Sequence, residues 1–213
     1  MLELQAMNSP EINILFDDKY LIAVNKPSGI LVVPTPANER YTLTALLNKL
    51  LLERVPAECA FPCHRIDRDT SGIVLFAKEK DTEQKMFQQF KERKVKKKYI
   101  ALVDGFLEKK NGVINKKIEG MNATTKYNVT KKMQGYSIVE VEPVTGRTNQ
   151  IRIHFKLIGH PLLGERKFAF GKDFKVKFKR TALHARELNF AHPVTGKDIY
   201  LKASLPEDMK KMM

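Results

Sequence analysis

Residues 64–78 of the chain read HRIDRDTSGIVLFAK and join a charged segment to an apolar one. The charged half sets two carboxylates, Asp67 and Asp69, among two arginines and a histidine. Paired charge of this density is typical of an active site that holds one ionised carboxylate against an anionic substrate. The apolar half, Gly72–Lys78, predicts a buried strand. We expect residues 70–72, Thr-Ser-Gly, to form the turn between the two halves.

Strands and helices alternate on both sides of this stretch. Apolar patterns predict further strands at Ile12–Phe16, Tyr20–Asn25, Tyr99–Val103, Thr124–Thr130, Tyr136–Glu142, Val176–Phe178, Leu183–Phe190 and Ile199–Ala203. Helical spacing predicts a helix from Thr42, its N-cap, to Glu53, and another that Asp81 caps with Gln84 in a capping box. These elements predict an α+β fold, with a mixed, mostly antiparallel sheet and flanking helices.

The length of 213 residues fits one domain. We expect this domain to span residues 12–213, after a flexible tail at residues 1–11. Cys59 and Cys63 are too few for a disulfide framework, so we expect reduced thiols in the cytoplasm. They lack the Cys-x-x-Cys spacing of a zinc site and a second ligand pair, so we expect no metal.

The charge of the chain predicts a polyanionic partner. Lys and Arg number 38 against 24 Asp and Glu, which gives a net charge of +14. An excess of this size favours nucleic acid. We expect phosphate contacts in three basic ranges, Lys91–Lys98, Lys109–Lys117 and Arg166–Arg180. The sequence shows no apolar run of bilayer length and no signal peptide, so we expect a cytoplasmic protein that does not enter a membrane. The sequence does not indicate an oligomeric state, and a monomer is the default expectation.

Two more segments carry candidate chemistry. Gly146–His154 reads GRTNQIRIH and is dense in planar donors that suit phosphates, carboxylates and base edges. Its periodicity fits a strand or a helix, and the flanking glycines favour the helix. Arg152 lies among apolar residues and needs an anion, for which Asp67 is the candidate. Taken alone, residues 96–99, Lys-Lys-Lys-Tyr, predict a solvated basic run followed by a half-buried tyrosine.

Together these segments resemble the RluA family of pseudouridine synthases, from about Ile14 to Leu205. The resemblance runs through Ile14–Asp18, Val24–Gly29, His64–Gly72, Lys98–Ala101, Gly146–His154, His160–Gly164 and Arg180–Ala185. One departure is Asn149, which stands where the family's arginine motif has histidine. The resemblance implies the pseudouridine synthase catalytic fold. It also implies a stand-alone catalytic domain, because the chain has no room for the small N-terminal RNA-binding domain of many relatives.

The resemblance further implies an activity and a set of site residues. The enzyme would detach uracil from its ribose, turn it and rejoin it through carbon 5, in ribosomal or transfer RNA and without a cofactor or metal. Asp67 would be the catalytic aspartate, Tyr99 would lie against the base and help remove the proton from carbon 5, and Arg152 would pair with Asp67. The implied substrate- or RNA-binding residues are His64, Arg65, Arg68, Thr70, Ser71, Arg147, Thr148, Gln150, Leu183 and His184. The sequence leaves open whether Asp67 attacks the sugar, attacks the ring or assists proton loss from the sugar.

A stacked uridine must be extruded before it can react, at a cost of a few kcal/mol. We expect the planar side chain of Arg65 to fill the vacated stack.

Two other functions remain open at this point. One is a non-catalytic RNA-binding module with the same fold. The other is a glycoside or nucleoside hydrolase with Asp67 as nucleophile, which needs a second carboxylate as general acid. Asp69 is the nearest, and in an extended segment it would lie about 7 Å farther along the same face. A hydrolase releases free uracil, whereas a synthase returns RNA of unchanged mass.

Overall fold

The computed structural model describes residues 12–54, 59–169, 174 and 176–213. The proposed tail at residues 1–11 lies outside these residues. The described strands are β1 Ile14–Asp17, β2 Leu21–Lys26, β3 Phe61–Pro62, β4 Ser71–Ala77, β5 Lys96–Asp104, β6 Asn111–Asn115, β7 Thr124–Met133, β8 Tyr136–Pro143, β9 Leu183–Ala191 and β10 Asp198–Lys202. The described helices are α1 Leu43–Arg54, α2 Lys80–Lys91, α3 Gln150–Leu157 and α4 Glu207–Lys210.

The strands form one sheet in the order β1-β2-β4-β9-β5-β8-β7-β6. Two short strands join it outside this path, β10 on β9 and β3 on β4. Among the pairings of the described strands, β4 with β9 is parallel and the others are antiparallel. The predicted α+β class with a mixed, mostly antiparallel sheet is therefore confirmed.

The parallel pair joins the two halves of the sheet through a short seam. Ser71 pairs with His184 and Gly72 with Ala185. Gly72 has a φ of +113°, and a Cβ there would collide with the backbone of Ala185. Glycine is required here because the two backbones approach too closely for a side chain.

Both faces of the sheet are covered, and the tyrosine of the basic run lies where two cores meet. All seven residues of β4 are buried, as expected for a strand with apolar layers on both sides. Tyr99 packs against the core that contains Ile66 and Phe76 and against the core that contains Phe155 and Leu183. The junction of the two halves of the sheet is therefore where the candidate residues gather.

Several local predictions need correction. The turn before β4 is at Arg68–Asp69, closed by a 3.2 Å hydrogen bond from Thr70 N–H to the Asp67 carbonyl, so Ser71 and Gly72 already belong to the strand. The second helix begins at Lys80 after Glu79, without a side-chain cap, so Asp81 lies inside its first turn. The segment 176–178 is not a strand. The sequence patterns also missed β6 and α4, which are too short to show a clear period.

Other local predictions are confirmed. Thr42 caps α1, because its Oγ1 accepts a 3.2 Å hydrogen bond from Ala45 N–H. Gln150–Leu157 is helical, as the flanking glycines indicated.

His64 is turned toward the protein interior. Its Nε2 accepts a 3.1 Å hydrogen bond from Leu75 N–H, and its ring lies 5.0 Å from that of Phe90. Burial, with a smaller contribution from the charge of Lys97, lowers the pKa of His64 to about 3. The ring of His64 is thus used in packing and its acceptor nitrogen in the strand, while RNA binding by His64 remains a prediction.

We expect His64 to make the protein sensitive to acid. The unfolded chain takes up this proton near pH 6.5 and the folded chain only near pH 3, so stability is lost as the pH falls between these values. One such group contributes a slope of up to about 1.4 kcal/mol per pH unit. Urea unfolding at several pH values between 7 and 4 gives the free energy of unfolding at each pH. This free energy should fall less steeply with decreasing pH for His64→Gln than for the wild type. Equal slopes would contradict this assignment.

Candidate active site

A small cavity of about 90 Å³ lies at the junction of the two halves of the sheet. The loop before β4, strand β5, the segment between β8 and α3, and the start of β9 all contribute to its walls. Seven of the residues expected from the sequence line it: Asp67, Thr70, Tyr99, Arg147, Gln150, Arg152 and Leu183. The cavity is far below the roughly 300–1,000 Å³ that drug-sized ligands occupy, so it fits a small planar group.

The loop that carries Asp67 is held by a buried lysine. Lys26 is 1% exposed, and its Nζ donates to the carbonyls of Pro27, Ile30 and Arg68 at 2.8, 2.8 and 3.0 Å. Burial lowers the pKa of Lys26 to about 7, against the opposing attraction of Asp69. Lys26 therefore fixes the backbone on the C-terminal side of Asp67 through hydrogen bonds that need no side-chain partner.

Arg152 connects Asp67 to a second carboxylate. Its Nη1 donates to Asp67 Oδ2 at 3.0 Å, the contact expected from the sequence. On the other side its Nε and Nη2 donate to the two oxygens of Glu165 at 2.7 and 2.8 Å. This bidentate geometry fixes the plane of the guanidinium, so that Nη1 points at Asp67.

Glu165 is the more deeply buried of the two carboxylates. Its side chain is fully buried, whereas that of Asp67 is 30% exposed. Glu165 Oε1 also accepts hydrogen bonds from the backbone N–H groups of Lys167 and Phe168 at 2.8 and 3.3 Å. Glu165 is thus fully engaged inside the protein, and Asp67 is the carboxylate that faces the cavity.

The electrostatics follow from this arrangement. Burial opposes ionisation of Glu165, but hydrogen bonds from Arg152 and the backbone outweigh it and lower the pKa of Glu165. Burial likewise acts to lower the pKa of Arg152, and the contacts with Glu165 and Asp67 raise it well above its usual value. Both pKa shifts therefore favour the charged forms of Arg152 and Glu165 at neutral pH.

Asn149 has a defined place beside this pair. Its Oδ1 accepts a 2.6 Å hydrogen bond from Arg152 Nη1, the same nitrogen that contacts Asp67. Its backbone is left-handed, with a φ of 54°, a conformation that Asn adopts more readily than most residues. The residue at this position therefore contacts the guanidinium directly and steers it toward Asp67.

Tyr99 and Leu183 form apolar walls of the cavity. Leu183 is 4% exposed and begins β9, while Tyr99 projects from β5. Burial, and to a smaller extent the charge of Asp67, raise the pKa of Tyr99. Its phenol therefore keeps its proton at neutral pH.

Thr70 also lines the cavity and is 1% exposed. Its Oγ1 has no hydrogen-bond partner among the residues that the structure describes. A buried hydroxyl in this state is a candidate to bond a ligand.

Several expected RNA-binding residues lie elsewhere. Ser71 and His184 are buried and contact each other across the seam, with 3.0 Å between Ser71 Oγ and His184 Nδ1, and RNA binding by either residue remains a prediction. Burial lowers the pKa of His184 to about 4. Arg65, Arg68 and Thr148 are exposed outside the cavity, where contact with RNA remains a prediction.

Gln150 is used inside the protein. Its amide oxygen accepts from Thr145 Oγ1 at 2.6 Å and from Arg147 N–H at 3.0 Å. Its amide nitrogen donates to the Thr124 carbonyl and to Thr125 Oγ1, both at 2.9 Å. With both ends occupied, Gln150 shapes the cavity wall and has little capacity left for an RNA contact.

The sequence reasoning missed Glu165. A signal was available, because a guanidinium offers five N–H donors and Asp67 by itself can accept at most two of them in a planar pair. A second acid close to the arginine segment was therefore to be expected, and Glu165 lies 13 residues after Arg152.

The described residues contain no group of three His, Cys, Asp or Glu side chains able to hold a metal ion. Nor do they contain a helix that is both long and apolar enough to cross a bilayer.

Comparisons with known proteins agree with this geometry. A family model described as RNA pseudouridylate synthase matches residues 20–157. The dual-specificity RNA pseudouridine synthase RluA of Haemophilus influenzae is 36% identical, over 91% of this chain and 93% of the relative. Its counterpart in Pasteurella multocida is also 36% identical, over 87% of this chain and 90% of the relative.

Solved structures show the same fold. Human RNA pseudouridylate synthase domain containing 4 superposes with a TM-score of 0.77 at 25% identity, covering 92% of this chain and 89% of that one. Human RNA pseudouridylate synthase domain containing 1 gives 0.73 at 26% identity, covering 92% and 84%. Sequence, fold and family model thus agree, and the chain belongs to the RluA family of RNA pseudouridine synthases, which are isomerases.

Proposed function

We propose that this chain converts specific uridines of structured ribosomal or transfer RNA to pseudouridine, with Asp67 as the catalytic carboxylate. The observation that carries the proposal is the chain of contacts from Glu165 through Arg152 to Asp67 at a cavity of about 90 Å³. Apolar walls from Tyr99 and Leu183 suit one planar base, which has to leave its stack to reach them.

The reaction needs no change of oxidation state. The bond from uracil N1 to ribose C1′ breaks, the ring turns, and a bond from C5 to C1′ forms. The proton on C5 leaves and N1 gains a proton, so the mass of the RNA is unchanged. Asp67 serves this sequence by attacking the sugar, by attacking the ring or by assisting proton loss from the sugar, and Arg152 aims its carboxylate in each case.

Tyr99 has a narrower role in the free protein than the family pattern implies. Its phenol carries a proton at neutral pH, and burial with the charge of Asp67 raises its already high pKa further. We therefore assign Tyr99 first to packing against the flipped base. Removal of the C5 proton by Tyr99 requires that the bound substrate lower its pKa.

We further propose that the protein acts as a cytoplasmic monomer. Asp67, Tyr99, Arg152 and Glu165 all come from one chain, so the site needs no second copy. The free cysteines Cys59 and Cys63 fit a reducing compartment.

A nucleoside hydrolase is the main competing function for this site. It needs a second carboxylate across the cavity as general acid. Within the described residues, Asp69 does not line the cavity and Glu165 is fully engaged with Arg152. The site therefore offers one usable carboxylate, which favours isomerisation.

The proposed function is tested with unmodified transcripts of large-subunit ribosomal RNA and of transfer RNAs that carry tritium on uridine C5. The wild type should release tritium to water and leave the RNA mass unchanged. Asp67→Asn should lower the rate about 10²–10⁴-fold or more, because the reacting carboxylate is lost, while RNA affinity stays within about threefold. Free uracil would support the hydrolase. Binding without any tritium release would support the non-catalytic module.

Glu165→Gln should lower kcat about 10–100-fold with little change in KM for RNA, because Arg152 loses its bidentate partner and aims Asp67 less well. It should also destabilise the fold by about 3–5 kcal/mol, since a buried ion pair is broken. Glu83→Gln, which removes a surface partner of Lys80, is the matched control and should change neither value. The readouts are steady-state tritium release and urea unfolding. An unchanged kcat in Glu165→Gln would refute the positioning role.

Arg65→Ala should slow turnover on a uridine in a stem by about tenfold or more relative to a uridine in an unstacked strand. The reason is that Arg65 is exposed beside Asp67 and free to fill the stack that a flipped base leaves. Arg54→Ala, at the end of α1, removes an exposed arginine away from the cavity as a control. The comparison uses kcat/KM on the two RNAs. Equal losses on both would remove Arg65 from this role.

A further inference from the structure

Strand β5 leaves its neighbour β8 just beyond the candidate active site. β5 pairs with β9 from Lys96 to Ala101, but its pairing with β8 begins only at Tyr99, opposite Val141. The residue that would continue the ladder opposite Lys97 is Pro143, which has no N–H to donate. The two strands therefore diverge and leave a groove between them.

This groove is large and basic, and it adjoins the cavity. Its volume is about 500 Å³. Five cations line it against two carboxylates: Arg93, Lys96, Lys97, Lys98 and Lys126 against Glu142 and Glu187. Lys97 and Pro143 line both the groove and the cavity that holds Asp67, so the two spaces share a wall.

Lys97 is unusual among these cations because it is partly buried without a counter-ion. Lys98 contacts Glu187 at 3.5 Å, whereas no carboxylate of the described residues lies within ion-pairing distance of Lys97 Nζ. Burial lowers the pKa of Lys97, with no contribution from a neighbouring charge. A desolvated ammonium without an anion is destabilising unless a ligand supplies one.

The position of Lys97 fits the mouth of the cavity. Lys97 and Tyr99 both line the cavity, with the irregular step of β5 against β9 between Lys98 and Tyr99. A Cβ at Gly146 would lie 3.6 Å from Lys97 Nζ, which places the ammonium against the segment that leads into Arg147. The ring of Phe90, 6.0 Å from Nζ, backs the lysine from the other side.

We propose that Lys97 binds the phosphate adjoining the flipped uridine, and that the RNA strand continues from there along the groove between β5 and β8. This inference rests on the proposed function and adds the path of the substrate. With the base in the cavity and the ribose at Asp67, the next charged group of the RNA is a phosphate at the rim, where Lys97 lies. The remaining cations of the groove then contact the phosphates of the RNA backbone by charge alone and do not recognise the bases.

The test uses a fluorescent eleven-nucleotide RNA, A5UA5, whose binding is followed by anisotropy from 50 to 200 mM salt. Lys97→Met should weaken binding about fivefold to tenfold and make the slope of log affinity against log salt shallower by about 0.7, the value for one contact with a single strand. Lys97→Arg should restore both. Lys85→Met, which removes a lysine of α2 paired with Asp81, is the matched control and should bind as the wild type does.

A second RNA locates the contact. Replacing one phosphate beside the uridine with an uncharged methylphosphonate should weaken RNA binding by the wild type and leave RNA binding by Lys97→Met unchanged. The inference is overturned if Lys97→Met binds RNA as Lys85→Met does, or if its slope of log affinity against log salt equals that of the wild type. It is also overturned if the wild type and Lys97→Met lose affinity equally for the RNA with the methylphosphonate. Thermal melting of each variant separates loss of folding from loss of contact, and Lys97→Arg keeps the test valid if Lys97→Met is unstable.

Failure of this inference is distinct from failure of the proposed function. If the wild type releases tritium from transcripts while Lys97→Met binds RNA as Lys85→Met does, the assignment of Lys97 to a phosphate is refuted and the proposed activity is supported. If the wild type binds A5UA5 through Lys97 but releases no tritium from any transcript, the activity falls and the groove remains a site for an RNA backbone.

Discussion

The site depends on one constraint, which is that the guanidinium of Arg152 has a single orientation. Glu165 fixes its plane from the buried side, and Asn149 shares the nitrogen that reaches Asp67. A lysine could not replace it, because a point charge does not transmit direction from one carboxylate to another. Asp67, the proposed catalytic carboxylate, can therefore remain 30% exposed and still be held in place.

The fold supplies the surroundings that this constraint requires. Lys26 holds the loop of Asp67 by donating hydrogen bonds to three backbone carbonyls. Tyr99 is held because it packs against two apolar cores. β5 carries both Tyr99, which lines the cavity, and Lys97, which lies at the rim of the cavity where β5 and β8 separate. Divergence of two strands thus creates a small apolar cavity and a wide basic groove side by side.

The sequence predicted the parts of the site that lie in local motifs, and missed those that depend on packing. Asp67 and Arg152 were reached because each stands in a segment whose residue types already suggest its chemistry, whereas Tyr99 was reached only through the family resemblance. The internal contacts of His64, Ser71 and His184 were not foreseen, because their motifs do not tell which side chains turn inward. The five donors of Arg152 indicated a second acid, but which acid meets Arg152 becomes apparent only when the segment after α3 folds back and brings Glu165 to it. Lys97 was expected only as one of several phosphate-contacting residues in Lys91–Lys98, since the loss of pairing with β8 leaves no mark in the periodicity of β5.

The seam between β4 and β9 has a consequence for how the enzyme comes into being. Ser71 and His184, which meet there, are 113 residues apart along the chain. Contacts of such separation close a long loop and form late in folding. A nascent chain that has emerged as far as α3 already contains Asp67, Tyr99 and Arg152, yet it lacks Glu165 and the wall at Leu183. Under the proposed function, catalytic competence therefore arrives only with about the last quarter of the polypeptide, so that an incomplete molecule holds Asp67 without the residues that aim it at RNA.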